Sequence, residues 1–172
     1  MAPAPTLTTD RLILRAYTAA DFESYAAMWA DPAVVRFIGG TPVSREESWS
    51  RFLRQFGMWQ HLGFGFFVVE DKATGAFLGE VGFQERLRDL KPSIEGTLET
   101  GWGFVPAAHG KGFASEAAKA ALAWADTTLP GKRYTALIDG QNTASIRVAE
   151  KLGFRRFAEV VYHGVAGYLY ER

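Results

Sequence analysis

The chain has 172 residues, of which 48% are apolar and 14% aromatic. It is therefore long enough for one domain with a sizeable core and too apolar to be disordered. Its 19 basic and 19 acidic residues cancel, which argues against a field that would gather nucleic acid or an anionic membrane surface. The lack of cysteine excludes disulfides, zinc thiolate sites and a cysteine acyl-enzyme, and it is compatible with a reducing cytoplasm.

The first elements follow a short proline-containing stretch. MAPAPTLTTD has neither the basic flank nor the apolar core of a signal peptide, so we predict a flexible arm over residues 1–8. The apolar run at 64–69 is far too short to span a bilayer. We therefore expect one soluble, cytoplasmic domain over residues 1–172. RLILR at 11–15 predicts the first strand.

Two helices are predicted next. Thr18 followed by Asp21 is a start signal for a helix that runs to about Ala30, and Ser44 followed by Glu47 is a clearer one. Helically spaced apolar residues in the second helix predict a face that packs in the core: Trp49, Phe52, Leu53, Phe56 and Trp59.

From about residue 63 the pattern of apolar residues changes from that of helices to that of strands. Residues 64–70, 76–85 and 97–105 predict an antiparallel meander. After these strands we predict an alanine-rich helix that begins after Gly112 and a strand at 133–138. A helix capped by Asn142 and stopped by Gly153 comes next, and two closing strands end the chain. The order predicts a mixed α/β (α+β) fold, a mostly antiparallel twisted sheet of about seven strands with about four helices.

Gly110, Lys111 and Gly112 stand where a strand leads into the alanine-rich helix. The Walker loop is excluded because Val105 and Gly112 occupy positions that need a glycine and a Ser or Thr. A dinucleotide fold is disfavoured because its third glycine is Ser115 and only about sixty residues follow. A plain turn remains open, as does a diphosphate site. The latter is favoured by the exposed N–H groups at the positive end of the helix.

The segments ETGWGFVPAAHGKGFASEA and NTASIRVAEKLGF resemble the GCN5-related N-acetyltransferases (GNAT), most closely their RimJ/RimL branch. The opening TLTTDRLILR also resembles that branch, so the resemblance covers essentially the whole chain. The pyrophosphate signature of the family is Gln or Arg, two residues, Gly, one residue, then Gly or Ala. The signature maps onto six residues of this chain, and the first of them departs from it because a histidine replaces Gln or Arg: His109, Gly110, Lys111, Gly112, Phe113 and Ala114.

The resemblance implies acetyl-CoA as the cosubstrate, with no metal. The backbone of the cradle, residues 109–114, would bind the pyrophosphate of coenzyme A. The strand end near Phe104 and Val105 would pair its backbone with the pantetheine arm. Asn142 would contact the pantetheine chain from the other side.

The resemblance also implies two catalytic residues. Glu99, on the strand face shared with Gly101 and Gly103, would remove the amine proton through water, with room for the acceptor above the two glycines. Ser145 would donate a proton to the departing sulfur. The alternatives are a solvated strand glutamate and a serine that bonds backbone in the first helical turn. Glu80 and Glu95 are lesser candidates for the base.

The predicted function is acetyl transfer to a primary amine by direct attack on the thioester, without a covalent acyl-enzyme. The acceptor would be a small molecule or a protein amino terminus, with no nucleic acid or membrane partner and a possible homodimer. Two alternatives stay open, a non-catalytic acyl-CoA-binding module of the same fold and a nucleotide-binding regulator. Nothing in the sequence identifies the acceptor.

Overall fold

The computed structural model of the protein describes residues 4–172, so the first three residues of the predicted arm lie outside the described part. Within that range the chain forms eight strands and five α-helices. The strands are β1 (Leu7–Thr8), β2 (Leu12–Arg15), β3 (Phe66–Asp71), β4 (Phe77–Gln84), β5 (Leu98–Phe104), β6 (Tyr134–Asp139), β7 (Arg155–Tyr162) and β8 (Val165–Glu171). The helices are α1 (Phe22–Ala30), α2 (Pro32–Val35), α3 (Arg45–Leu62), α4 (Phe113–Thr128) and α5 (Thr143–Lys151).

The eight strands form one mixed sheet in the order β1-β2-β3-β4-β5-β6-β8-β7. Every neighbouring pair is antiparallel except β5 and β6. The predicted fold class is therefore confirmed, and the additional elements are the two-residue β1 and the four-residue α2. Because Leu7 and Thr8 pair with Leu14 and Ile13, the end of the predicted arm is an edge strand, which corrects its boundary.

Helix ends follow the local signals in the sequence. The Ser44 side chain accepts a hydrogen bond from the backbone N–H of Glu47, and α3 ends at Gly63 with φ of 76°. The Asn142 side chain caps α5 by accepting from the backbone N–H of Ser145 at 3.0 Å. These contacts satisfy groups that a helix terminus leaves unpaired.

The sheet separates two apolar cores. The alanine-rich face of α4 packs on one side of the sheet, where Ala117, Ala121 and Leu122 meet Phe83 and Leu98. The helices α1 and α3 pack on the other side. The sheet and these helices thus hold both faces of β4 and β5 in fixed positions.

The apolar stripe predicted for α3 is only partly core. Phe52 and Trp59 are buried, but Trp49, Leu53 and Phe56 are 46%, 50% and 40% exposed. The prediction was wrong at those three positions because the buried face is narrower than the apolar stripe. It includes polar residues such as Ser48 and Gln55.

The two parallel strands at the centre separate soon after they meet. β5 and β6 pair only at Leu98 with Tyr134 and at Glu99 with Thr135, although β5 continues to Phe104 and β6 to Asp139. The opening therefore lies between the carboxyl ends of the two strands, where β5 leads into the Gly110–Gly112 turn. This is the feature of the fold that positions the candidate site.

Candidate active site

A cavity of about 700 Å³ lies beside this opening. Its walls come from α1, α3, β4, β5, β6 and the start of α5, and they include three residues predicted from the sequence, Glu99, Asn142 and Ser145. Residues that are buried, such as Tyr25 and Glu80, lie at its inner end, while exposed side chains form its mouth: Arg54, His61, Glu85 and Arg86. Its size suits a small ligand or the end of a longer one.

The glycine–lysine turn forms an uncapped helix start. Gly110 and Gly112 have φ of 72° and 80°, a region that residues with a side chain rarely adopt. Gly112 is the N-cap of α4 and no side chain caps this end. The backbone N–H groups of Phe113 and Ala114 are therefore available to an anion at the positive end of the helix, beside the exposed Lys111.

Arg11 supports this turn from the other end of the chain. Its Nη1 donates to the Lys111 carbonyl at 3.0 Å, its Nε donates to Glu116 at 2.7 Å, and its guanidinium lies 4.5 Å above the Phe113 ring centroid. Thr9 donates a further hydrogen bond to Glu116 at 2.6 Å. Sequence reasoning missed this network because RLILR signals only a strand and its partners lie about a hundred residues away.

The backbone of β5 presents alternate residues to the opening. In an antiparallel pair, alternate residues bond to the neighbouring strand, and the others point away from it. The N–H of Val105 donates to Leu78 on the β4 side, whereas the N–H of Leu98 donates to Arg133 on the β6 side. By this alternation the N–H and carbonyl groups of Trp102 and Phe104 point towards the opening.

This geometry changes the part played by two predicted residues. Both backbone groups of Val105 have protein partners, Leu78 for its N–H and Ala108 for its carbonyl. The strand edge offered to a ligand is therefore that of Trp102 and the N–H of Phe104. The ring Nε2 of His109 lies 2.8 Å from the Phe104 carbonyl. His109 thus binds the strand end, where the family signature has Gln or Arg.

Ser145 lies across the opening from β5. Its hydroxyl oxygen accepts a hydrogen bond from the Trp102 indole at 3.2 Å, and its backbone N–H is held by the Asn142 side chain. Since the indole only donates, the hydroxyl hydrogen of Ser145 remains able to donate to another group. Asn142 positions this turn through its cap, and both residues line the cavity.

Glu99 is held in a buried ion pair. Arg88 donates to both of its carboxylate oxygens at 2.7 and 2.6 Å, and Gln84 donates to one of them at 2.9 Å. Burial lowers the pKa of Arg88, but the hydrogen bonds and charge of Glu99, together with the contact with Tyr162, raise it above its usual value, so the guanidinium stays charged. Protein donors therefore occupy both oxygens of the Glu99 carboxylate.

Aromatic rings take up part of the predicted room above the two glycines. Gly101 and Gly103 face the α1 and α3 side, as Glu99 does. A Cβ atom at Gly101 would lie 3.1 Å from the Phe66 ring, and one at Gly103 would lie 3.6 Å from the Trp29 ring. Gly101 still lines the cavity together with Glu99, whereas Gly103 is buried against Trp29, so room for an acceptor beside Glu99 and Gly101 stays a prediction.

Glu80 is a second carboxylate at the inner end of the cavity. It is 4% exposed and accepts a hydrogen bond from the Tyr17 hydroxyl. Burial raises its pKa to about 7, although the Tyr17 hydrogen bond and the charge of Arg51 act in the opposite direction. Sequence reasoning ranked Glu80 below Glu99 because no local pattern reveals the Tyr17 contact, 63 residues away.

Within residues 4–172, no group of three or more metal-ligating side chains is close enough to hold an ion. None of the helices in the described part is both long and apolar enough to cross a membrane.

Comparison with known proteins agrees with this geometry. Residues 11–155 match the family model of the acetyltransferase (GNAT) domain. The Bacillus subtilis protein YkkB is 33% identical over 155 residues, which cover 86% of this chain and 83% of that protein.

Solved structures share the fold along nearly the whole chain. A GNAT-family acetyltransferase of Bordetella pertussis is 35% identical with a TM-score of 0.87, and the match covers 98% of this chain and 99% of that one. The RimL ribosomal L7/L12 α-N-protein acetyltransferase, solved with coenzyme A, shares the fold at 16% identity, with a TM-score of 0.77 over 98% and 97% of the chains. The chain belongs to the GNAT acetyltransferase family.

Proposed function

We propose that the protein is an acetyl-CoA-dependent N-acetyltransferase that acts on a primary amine by direct attack on the thioester. One observation carries the proposal: the β5/β6 opening joins an uncapped glycine-led helix start to a cavity that contains Ser145 and carboxylates. A diphosphate fits the amides of Phe113 and Ala114, and an extended amide chain fits the strand edge of Trp102 and Phe104.

When bound, acetyl-CoA supplies the activated acetyl group, and residues of this chain do the remaining work. The cradle and β5 position the thioester beside Ser145, which converts an encounter of two molecules into a local reaction. The Ser145 hydroxyl then offers its hydrogen to the departing sulfur. The acceptor amine is a small molecule or a protein amino terminus, and cytoplasmic localisation and a homodimer stay predictions.

The test has a binding arm and a turnover arm. Acetyl-CoA at about 100 times its Kd is expected to stabilise the protein by roughly 2.7 kcal/mol, a rise in Tm of about 5–10 °C, whereas ATP and NAD leave it unchanged. A panel of primary amines is then scored by release of free coenzyme A. Binding without release on any amine would favour the non-catalytic acyl-CoA-binding module, and no thermal shift would contradict both readings.

The Ser145→Ala variant tests the role of the hydroxyl. We expect kcat to fall by about 100-fold or somewhat less, the low end for general acid help, because the thiolate is a tolerable leaving group near neutral pH. The affinity for acetyl-CoA should change little. Thr143→Ala is the matched control, since it removes an exposed hydroxyl from the same helical turn. Equal kcat in the two variants would leave Ser145 with a structural role.

A further inference from the structure

Glu80 and Ser145 line the same cavity. In the sheet, Glu80 of β4 pairs with Gly103 of β5, the residue next to Trp102. The Trp102 side chain, which donates to Ser145, lies on the opposite face of the sheet from Glu80, because successive residues of a strand point to opposite faces. Glu80 and Ser145 therefore meet the opening from the two faces of the sheet. Glu99 lies four residues from Gly103 along β5, about 13 Å away at the rise of a strand, and it is bound to Arg88.

Two buried polar atoms line the same cavity as Glu80. Trp29 Nε1 and Gln55 Oε1 have no hydrogen-bond partner among the described residues, although both side chains are more than nine-tenths buried. Buried polar groups without partners are costly, so such atoms indicate a place that water or a polar ligand fills. Gln55 Oε1 is an acceptor, which suits an ammonium or amine N–H.

The surroundings of Glu80 set its protonation near neutral pH. Tyr17 and Tyr25 are titratable groups that interact with Glu80, and Arg51 of α3 is a cation that acts on it. Both tyrosines are neutral at this pH because burial raises their pKa. With its own pKa at about 7, Glu80 is present in both forms, which is the condition that favours proton transfer by a general base.

We propose that Glu80, positioned by the Tyr17 hydroxyl, is the general base that takes the proton from the acceptor ammonium, and this rests on the proposed acetyl transfer. The proton moves from nitrogen to the Glu80 carboxylate, directly or through one water. The freed nitrogen lone pair forms the bond to the acetyl carbon, and the carbon–sulfur bond breaks. The second nitrogen proton reaches the sulfur through the Ser145 hydroxyl, which gives its own hydrogen and takes up that proton. Glu80 then releases its proton to solvent.

The first experiment compares Glu80→Gln with Glu85→Gln, which changes an exposed carboxylate at the mouth of the same cavity. With an alkylamine that is protonated at pH 7, Glu80→Gln should lower kcat/KM by about 10² to 10⁴-fold, and raising the pH should partly restore it. With a fluorinated analogue that is neutral at pH 7, the loss should be under about 10-fold. Glu85→Gln should lower kcat/KM far less than Glu80→Gln does with the alkylamine, because Glu85 lies at the exposed mouth and not at the inner end.

The Tyr17→Phe variant tests the pH dependence of kcat/KM, which would not change if Tyr17 had only a structural role. The Tyr17 hydrogen bond favours the ionised form of Glu80, so its removal should raise the pKa of that carboxyl. The acidic limb of kcat/KM should therefore move to higher pH. An unmoved limb would contradict the positioning role of Tyr17.

The proposal for Glu80 can be tested separately from the proposed function. Wild-type turnover and the acetyl-CoA thermal shift test the function by themselves. If Glu80→Gln binds acetyl-CoA and keeps wild-type kcat/KM with the alkylamine, Glu80 is not the base. An amine-dependent loss in Glu99→Gln with none in Glu80→Gln would also overturn the proposal.

Discussion

Replacing Gly112 with valine is expected to abolish measurable binding of acetyl-CoA while the protein still folds. Gly112 has φ of 80° and begins α4, so a β-branched residue must either hold a strained conformation or move the helix start. Either change displaces the amides of Phe113 and Ala114 from a bound diphosphate. Hydrogen bonds to a charged group are worth about 1.5–3 kcal/mol each, so losing two predicts at least a 100-fold weaker Kd.

The matched control for this variant is Gly131→Val. Gly131 has a similar φ of 77° with no atom within 4 Å of an added Cβ. It follows the other end of α4, roughly 24 Å from the cradle for a helix of this length. Both valines should lower stability by about 1–3 kcal/mol, within the range that a folded domain tolerates. Calorimetric titration with acetyl-CoA that gives one Kd for both variants would make Gly112 a turn residue only.

How much of this site could be predicted from the sequence depends on the distance over which each signal acts. The cap of α5 at Asn142 and the glycine start of α4 are local signals, and both appear where they were predicted. The strand alternation that directs Glu99 to the α1 and α3 side is local as well. The side chains that bind these residues come from distant parts of the chain, and those partners decide what chemistry each residue can do.

Carboxylates illustrate this limit. Glu80 and Glu99 are both glutamates in apolar strands, and the sequence around them does not show which of the two forms an ion pair. Arg88 binds one from a loop eleven residues away, and Tyr17 binds the other from 63 residues away. Only the packing of the sheet against α1 and α3 assigns these partners. The same limit applies to apolar residues, as the exposed Trp49 on α3 shows. Periodicity predicts which face of a helix is buried, but not how wide that face is.

The shifted pKa of Glu80 has a consequence for stability that needs no substrate. Its usual pKa is 4.5, and burial raises it to about 7 in the folded protein. Between these values the folded protein holds a proton that the unfolded chain has released. The stability that Glu80 contributes is therefore fully present below pH 4.5 and is lost as the pH rises through 7. A difference of about 2.5 pH units corresponds to roughly 3 kcal/mol.

The Glu80→Gln variant lacks this titration while it keeps an oxygen for Tyr17. We expect its stability relative to the wild type to increase by roughly 3 kcal/mol between pH 4.5 and 8, a change in Tm difference of about 6–12 °C. Other titrations cancel in the comparison, including that of Asp21. Burial alone would raise the pKa of Asp21, but hydrogen bonds from Arg15 and Thr18 lower it.

Thermal unfolding of the wild type, Glu80→Gln and Glu85→Gln across this pH range measures the effect without acetyl-CoA or an amine. Glu85→Gln is the control for removing a carboxylate from the cavity, since Glu85 is exposed at its mouth. A difference between Glu80→Gln and the wild type that does not change with pH would mean that Glu80 ionises like a solvated carboxylate. It would then be charged well below neutral pH and too weak a base for the proton transfer assigned to it.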